Sequence, residues 1–252
     1  MTSPGLPADF ARHAPALPGR ALSQQRWRYV TFLHWEVDEH LVAELLPAGT
    51  RADVFDGRTY VGLVPFVMAD AGLGVRVSLP WLGNFPETNV RCYSIDEQGR
   101  HGVVFASLEA TRLATVLAAR IGYQLPYTWA RMQVRQRGNA WWYRSQRRWP
   151  TAGPRAELGL EVGEPLVPTP MEEFLTARWG LHHRVRLPGG TAPVTCWTPN
   201  EHQPWPLHRA HIHHLDQDLL KAAGLPVSGT PDLRPLWSPG VTTRFGRPEI
   251  IT

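Results

Sequence analysis

Residues 85–91 read Phe-Pro-Glu-Thr-Asn-Val-Arg, a stretch that enters a β-strand with polar side chains at every second position. Side chains two positions apart in a strand lie on the same face of the sheet, so we expect Glu87, Asn89 and Arg91 to share one surface. Two interpretations of that surface are open. If it faces the interior, the three polar groups need partners or a ligand, because burying them unpaired is costly. If it faces water, they form an ordinary polar face.

The chain on either side of this stretch is predicted to be rich in strands. Runs of aromatic and β-branched residues alternate with turn signals, among them Asp56-Gly57, Glu97-Gln98-Gly99 and Gly138-Asn139. The last of these predicts a hairpin between its two flanking strands. The predicted strands cover residues 26–35, 58–68, 87–95, 102–108, 127–137, 140–149, 178–187 and 194–198.

Four helices are predicted between the strands. A short one follows Asp38, and apolar residues at helical spacing indicate a second over residues 109–121. Thr169-Pro170-Met171-Glu172 is a capping box with proline at the first helical position, which predicts a third helix. The fourth is expected over residues 214–223. The pattern as a whole predicts an α+β chain dominated by antiparallel strands.

Composition favours a folded domain and excludes several classes of protein. The 252 residues are 43% hydrophobic and 19% charged, which is neither a disordered nor a fibrous composition. We expect residues 1–24 to be a poorly ordered lead-in and residues 25–252 to form a single domain. No apolar run has the length of a signal peptide core or a membrane span, so we expect a cytoplasmic protein without a membrane partner. Two cysteines, Cys92 and Cys196, do not make a disulfide framework and are expected to be small buried thiols.

Histidines crowd the C-terminal part of the chain and raise the question of a metal site. His202, His208, His211, His213 and His214 lie within one short stretch, with His182-His183 upstream. Neither HExxH nor paired CxxC is present, so we favour exposed histidines on a surface loop that runs into a helix over a metal site. Nucleotide-binding fingerprints are also lacking, and no cofactor is expected.

A basic and aromatic run over residues 129–149 allows two interpretations. Arginines interleaved with tryptophans are typical of surfaces that bind single-stranded nucleic acid. A plain hairpin gives the same pattern, with rings packed on the core and arginines in water. We favour the plain hairpin and keep nucleic-acid binding as an alternative function.

Four spaced stretches resemble one family. Residues 29–35, 60–66 and 85–91, together with Leu125-Pro126-Tyr127, resemble the bacterial YqjF-like family of uncharacterised proteins. That family is itself similar to acetoacetate decarboxylase. The resemblance implies a mostly antiparallel, closed β-barrel of acetoacetate-decarboxylase-like type, with a few covering helices and an internal cavity for a small molecule. Barrels of this kind often assemble, so the resemblance is compatible with a homo-oligomer.

The resemblance also implies which residues meet the ligand. The decarboxylase forms a Schiff base through a lysine, and Tyr127 stands at the matching position. Its second active-site glutamate matches Glu87, its N-terminal arginine matches Arg28, and Pro65 stands in place of its first glutamate. A phenol does not form an iminium, and Lys221, the only lysine, falls in a predicted late helix. The family's Schiff-base decarboxylation is therefore not expected here.

The sequence therefore predicts a pocket with a modified chemistry. Glu87 and Tyr127 are the predicted catalytic pair, for lysine-independent lyase-type reactions (enol, hydration or aldol) on a small carbonyl or carboxylate compound. A non-catalytic ligand-binding or sensing protein on the same fold is the alternative. The predicted ligand-binding residues are Arg28, His34, Asn89, Arg91 and Arg120.

Overall fold

A computed structural model of the chain describes residues 5–73, 77–78 and 83–251, and about half of these residues belong to one sheet. Thirteen of the described strands are hydrogen-bonded to one another, and two short ones form a separate pair. The strands of the first half are β1 (Ser23–Val37), β2 (Thr50–Ala52), β3 (Thr59–Ala69), β4 (Gly72–Leu73), β5 (Val77–Ser78), β6 (Phe85–Asp96) and β7 (His101–Ala110).

The second half contributes the remaining strands and two of the four described helices. The strands are β8 (Tyr127–Arg137), β9 (Ala140–Trp149), β10 (Arg155–Pro165), β11 (Gly180–Val185), β12 (Val194–Glu201), β13 (His208–Gln217), β14 (Leu236–Phe245) and β15 (Glu249–Ile250). The helices are α1 (Glu39–Ala43), α2 (Leu113–Gly122), α3 (Pro170–Thr176) and α4 (Leu219–Ala222).

The sheet closes on itself twice. The strand order β7-β8-β9-β10-β13-β14-β1-β3-β6 returns to β7 through the β6–β7 pairing, which makes a ring of nine strands. Strands β11 and β12 connect β7 to β14 by another route, which makes a second ring of seven. Strands β14, β1, β3, β6 and β7 belong to both rings. The predicted α+β fold, a mostly antiparallel sheet ring with a few helices, is confirmed.

Alternation along the shared strands separates two interiors. Leu33, Val61 and Val90 pack with Trp141 and Leu160 in the main hydrophobic core of the nine-strand ring. The next residues along the same strands point to the opposite face, because successive side chains of a strand alternate. That opposite face lines the interior of the seven-strand ring.

A bulge in β1 changes which residues face inward. Tyr29 has a φ of 56°, and the register between β1 and β3 shifts between Arg28 and Leu33. A Cβ at Gly240 of β14, whose φ is 121°, would lie 1.9 Å from the Trp27 carbonyl oxygen, so only glycine fits there. Before the bulge the odd-numbered residues face the cavity, and after it the even-numbered residues do.

Two predicted helices were wrong in extent. The helix predicted from residue 109 begins only at Leu113, because Glu109 is still part of β7 and pairs with Thr128 of β8. The helix predicted over residues 214–223 is a strand up to Gln217, followed by the four residues of α4. Pairing of β13 with β10 outweighs the local helical pattern there. The capping box at Thr169 and the hairpin at Gly138-Asn139 are confirmed.

The N-terminal segment is irregular and yet packed. Residues 5–22 contain no helix or strand, but Phe10 is only 8% exposed and stacks against Phe174 at 5.6 Å between ring centres. Trp179 donates a hydrogen bond from its indole to the Ala11 carbonyl at 2.6 Å. This segment therefore differs from the poorly ordered lead-in that its composition suggested, because its aromatic residue covers part of the core.

Candidate functional site

The seven-strand ring encloses a cavity of about 110 Å³. Apolar rings and aliphatic chains, among them Phe32, Phe66 and Leu108, form most of its wall. Polar groups interrupt this apolar wall at a few positions, which is typical of sites for small molecules. The polar residues of the wall are Gln25, Glu87, Asn89, Arg91, Tyr127, Thr176, Arg178, Asn200 and His202.

Glu87 and Tyr127 meet in this cavity. Strand β7 lies between their strands: Glu87 pairs with Ala110, and Tyr127 pairs with Leu108 two residues away. The Tyr127 hydroxyl donates a hydrogen bond to Oε2 of Glu87 at 3.1 Å. An acid and a phenol that are forty positions apart in the chain are thus in direct contact.

Burial controls the protonation of this pair. It raises the pKa of the Glu87 carboxyl to about 8, while the hydrogen bond from Tyr127 acts in the opposite direction. Burial also raises the pKa of the Tyr127 phenol well above its usual value, and the neighbouring Glu87 adds to this. At neutral pH the phenol is therefore un-ionised and the carboxyl is mostly protonated.

Asn89 and Arg91 continue the same face of β6, as the alternation in the sequence predicted. Asn89 is buried, and its Oδ1 has no hydrogen-bond partner among the described residues. Arg91 donates from Nε to the Tyr93 hydroxyl at 3.0 Å and from Nη2 to the Leu175 carbonyl at 2.9 Å. No ion pair within the described parts of the chain includes Arg91. A buried guanidinium in this state favours an anionic ligand.

Arg178 is a wall residue that the sequence did not reveal. It follows α3 and is 4% exposed, with Nη1 bonded to Asp53 and Nε donating to the Phe174 carbonyl at 2.7 Å. Its Nη2 is buried and has no partner within the described residues. Burial alone would raise the pKa of Asp53, but Arg178 and His101 bring it below its usual value. A lone arginine after a helix gives no signal in the sequence, because Asp53 is 125 residues away.

His34 and Arg120 do not line the cavity but contact residues next to it or in its wall. Nε2 of His34 lies 2.6 Å from the Tyr93 hydroxyl, and burial, followed by Arg91 and Arg178, lowers the pKa of His34 well below its usual value. Arg120 donates from Nη1 to the Tyr127 carbonyl at 2.6 Å and lies over the Trp149 ring. Neither residue lines the cavity.

Arg28 lies outside the cavity. It is exposed, and its Nη2 donates to the Tyr29 hydroxyl at 2.7 Å. The bulge at Tyr29 is the reason, because it places Trp27 rather than Arg28 on the inner face. The prediction that Arg28 is a ligand-binding residue of the cavity was therefore wrong.

No lysine amine lines the cavity, so no group there can form a Schiff base. The single lysine, Lys221, is exposed on α4 and does not line the wall. The structure thus separates the ring cavity from the only side-chain amine of the chain.

Apart from His202, the C-terminal histidines and the basic hairpin do not line the ring cavity. The histidines from His208 to His214 lie on strand β13, so the predicted loop running into a helix was wrong. Among residues 5–73, 77–78 and 83–251, no group of three or more His, Cys, Asp or Glu side chains is arranged to hold a metal ion. Trp141 of the hairpin is buried in the core, whereas Trp142 is 48% exposed on the outer face. No described helix has the length and apolar character needed to cross a membrane.

The fold and the site together describe a β-rich sheet ring whose interior cavity holds a buried acid and a phenol. The chain belongs to the DUF2071 family of uncharacterized conserved proteins, which it matches over residues 24–242. It is 32% identical over 127 residues to the uncharacterized protein YqjF of Bacillus subtilis. That alignment spans about half of each chain, 50% of this one and 52% of the relative. The family assignment predicted from four sequence stretches is confirmed.

Solved structures agree with this fold. The acetoacetate decarboxylase of Legionella pneumophila superimposes with a TM-score of 0.64 at 13% identity and covers 97% of this chain and 94% of its own. The enduracididine biosynthesis enzyme MppR, solved with pyruvate, superimposes with a TM-score of 0.63 at 10% identity. The match covers 93% of this chain and 92% of MppR. An acetoacetate decarboxylase-like enzyme from Sphingomonas wittichii gives 0.59 at 12% over 94% and 95%. At these identities the likeness describes the fold alone.

Proposed function

We propose that the chain binds a small carbonyl or carboxylate compound in its ring cavity, and that Glu87 and Tyr127 perform lysine-independent lyase-type chemistry on it. The hydrogen bond between Tyr127 and Glu87 inside the cavity is the observation that carries this proposal. The solved relative that holds pyruvate in the same fold supports the size and chemistry of the ligand.

The acid–phenol pair suits the formation of an enol. The ionised fraction of Glu87 removes a proton from the carbon next to the carbonyl, and the electron pair of that C–H bond becomes the new C=C bond. The Tyr127 hydroxyl donates a hydrogen bond to the carbonyl oxygen, where negative charge develops. Return of the proton from Glu87 restores the ketone, so the step needs no further reactant.

Arg91 supplies the binding part of this proposal. Its guanidinium is on the same face of β6 as Glu87 and lacks an acidic partner in the described parts of the chain. A ligand carboxylate at this position would neutralise the buried cation through charge-assisted hydrogen bonds. The carbonyl of the same ligand would then lie towards Glu87 and Tyr127.

Exchange of carbon-bound protons tests the proposal directly. The protein is incubated with small 2-oxo acids in deuterated water, and loss of the signal from the carbon next to the carbonyl is followed by NMR. We expect Glu87→Gln and Tyr127→Phe each to slow the exchange roughly 100-fold or more. Glu161→Gln, an exposed residue of β10, and Tyr60→Phe, outside the cavity, are the matched controls.

The same experiment separates catalysis from sensing. Saturable binding without any exchange would support the non-catalytic alternative and contradict the enol chemistry. The absence of both binding and exchange across the panel would contradict the proposed ligand class.

A further inference from the structure

A second concavity, here called the outer groove, adjoins the ring cavity. It has a volume of about 650 Å³ and lies between α2, the start of β1 and the ends of β3 and β14. Small and apolar side chains such as Ala114, Ala118 and Phe85 dominate its wall. Ligand sites of this kind usually measure about 300–1,000 Å³, a range that includes the outer groove and excludes the ring cavity alone.

The two spaces share part of their wall. Gln25, Met68, Leu125, Tyr127, Leu181 and Phe245 line both of them. Tyr127 is therefore a boundary residue, with its hydroxyl on Glu87 in the ring cavity. A molecule whose carbonyl meets this pair lies beside the groove.

Polarity changes in one direction across this boundary. Arg91 and Arg178 line the ring cavity and not the groove. The arrangement therefore presents guanidinium groups first, then the acid–phenol pair, and then an apolar groove. A ligand that matches this order has a charged head, a carbonyl and a hydrocarbon tail.

We propose that the ligand of this protein is amphipathic: a 2-oxo acid or similar carbonyl acid whose aliphatic or aryl tail lies in the outer groove. This inference rests on the proposed function and narrows its ligand class from any small carbonyl compound to one with a tail. The groove's continuity with the cavity assigns it to the tail rather than to a second protein chain.

A series of straight-chain 2-oxo acids from three to ten carbons tests the length of the ligand. Quenching of tryptophan fluorescence reports binding, since Trp27 and Trp205 lie in the cavity wall. We expect affinity to rise about two- to fourfold for each methylene that enters the groove, because each one is removed from water. The increase should end once the groove is full.

Two neighbouring residues of α2 give a matched pair of variants. Ala118 lines the groove and is exposed, so Ala118→Trp fills the groove without disturbing the core. Leu117 is also exposed but is not part of the groove wall. We expect Ala118→Trp to reduce the ratio of eight-carbon to three-carbon affinity at least tenfold, and Leu117→Trp to leave that ratio unchanged.

Other outcomes have distinct meanings. Equal affinity along the series would contradict a tail in the outer groove and leave the proposed function standing. No binding at any length would contradict both the tail and the proposed function. Light scattering tests whether a second copy of the chain occupies the groove instead. A dimer that Ala118→Trp dissociates, without any dependence on tail length, would assign the groove to a second copy of the chain and overturn this inference.

Discussion

Nε2 of His34 lies 2.6 Å from the hydroxyl of Tyr93, and that hydroxyl accepts a hydrogen bond from Arg91. Because the pKa of His34 is well below its usual value, its ring is neutral and its Nε2 accepts a hydrogen bond from the Tyr93 hydroxyl. A neutral histidine thus fixes the direction of the hydrogen bonds that hold the guanidinium of Arg91. His34 thus positions Arg91 through Tyr93 and does not itself line the cavity.

Removal of the Tyr93 hydroxyl tests this arrangement. We expect Tyr93→Phe to weaken binding of a carboxylate ligand roughly three- to tenfold, since one net hydrogen bond contributes about 1 kcal/mol. Tyr143→Phe is the matched control, because its hydroxyl is also buried but bonds to Tyr29 and Trp237 in the other core. Titration calorimetry measures both. Equal losses of affinity would mean that general stability, and not the position of Arg91, explains the effect.

The raised pKa of Glu87 predicts that the free energy of unfolding falls as pH rises. The folded state holds this proton up to about pH 8, whereas the unfolded state loses it near the usual value of 4.5. The folded state therefore binds more protons between these two values, and the free energy of unfolding falls as pH rises from about 4.5 to 8, by at most about 1.4 kcal/mol per pH unit. Urea titrations at several pH values measure this slope.

Glu87→Gln removes the titrating group and should flatten that slope. The rate of proton exchange in the wild type should rise over the same range, because more of the base is ionised. A variant with an unchanged slope would place the titration on another group.

Buried histidines predict the opposite behaviour in acid. Burial lowers the pKa of His182 to about 4, although Asp96 acts against this. Below about pH 6.5 the unfolded state binds the proton and the folded state does not, so stability falls towards pH 4 by up to roughly 3 kcal/mol. His182→Gln should reduce this loss in denaturant titrations. His211→Gln, on the exposed side of β13, should leave it unchanged.

The Asp53–Arg178 pair predicts a large effect on stability. Both side chains are buried, so Arg178→Met leaves a buried carboxylate without its main partner and should cost about 3–5 kcal/mol of unfolding free energy. Arg144→Met breaks the exposed pair with Glu157 and should cost less than about 1 kcal/mol. Restoration of most of the loss by Asp53→Asn in the Arg178→Met background would confirm that the unpaired charge is responsible. Similar costs for the two single variants would contradict the pairing.

The sequence was informative where local rules apply. Alternation placed Glu87, Asn89 and Arg91 on one face, and the match of Tyr127 to the lysine position brought it to the same cavity. Turn residues predicted the hairpin at Gly138-Asn139 correctly. The shared face and the hairpin depend on period and turn chemistry, which neighbouring residues determine, whereas the place of Tyr127 came from the resemblance to a known family.

Features that depend on distant partners were missed. The bulge at Tyr29 lies beside the close approach of Gly240 to β1, and it turns Arg28 outward. Strand β13 has a helical pattern at its end, but pairing with β10 determines its conformation. Arg178 joins the wall through Asp53, and no spacing in the sequence connects them. Each of these is a tertiary contact between segments far apart in the chain.

Five strands separate a filled compartment from a hollow one, with opposite sides of the same backbone serving each. The filled side packs the main core, while the other side packs a smaller cluster around the cavity. Because the two faces belong to the same backbone, the polar side chains of the cavity wall can change while the packed face keeps its shape.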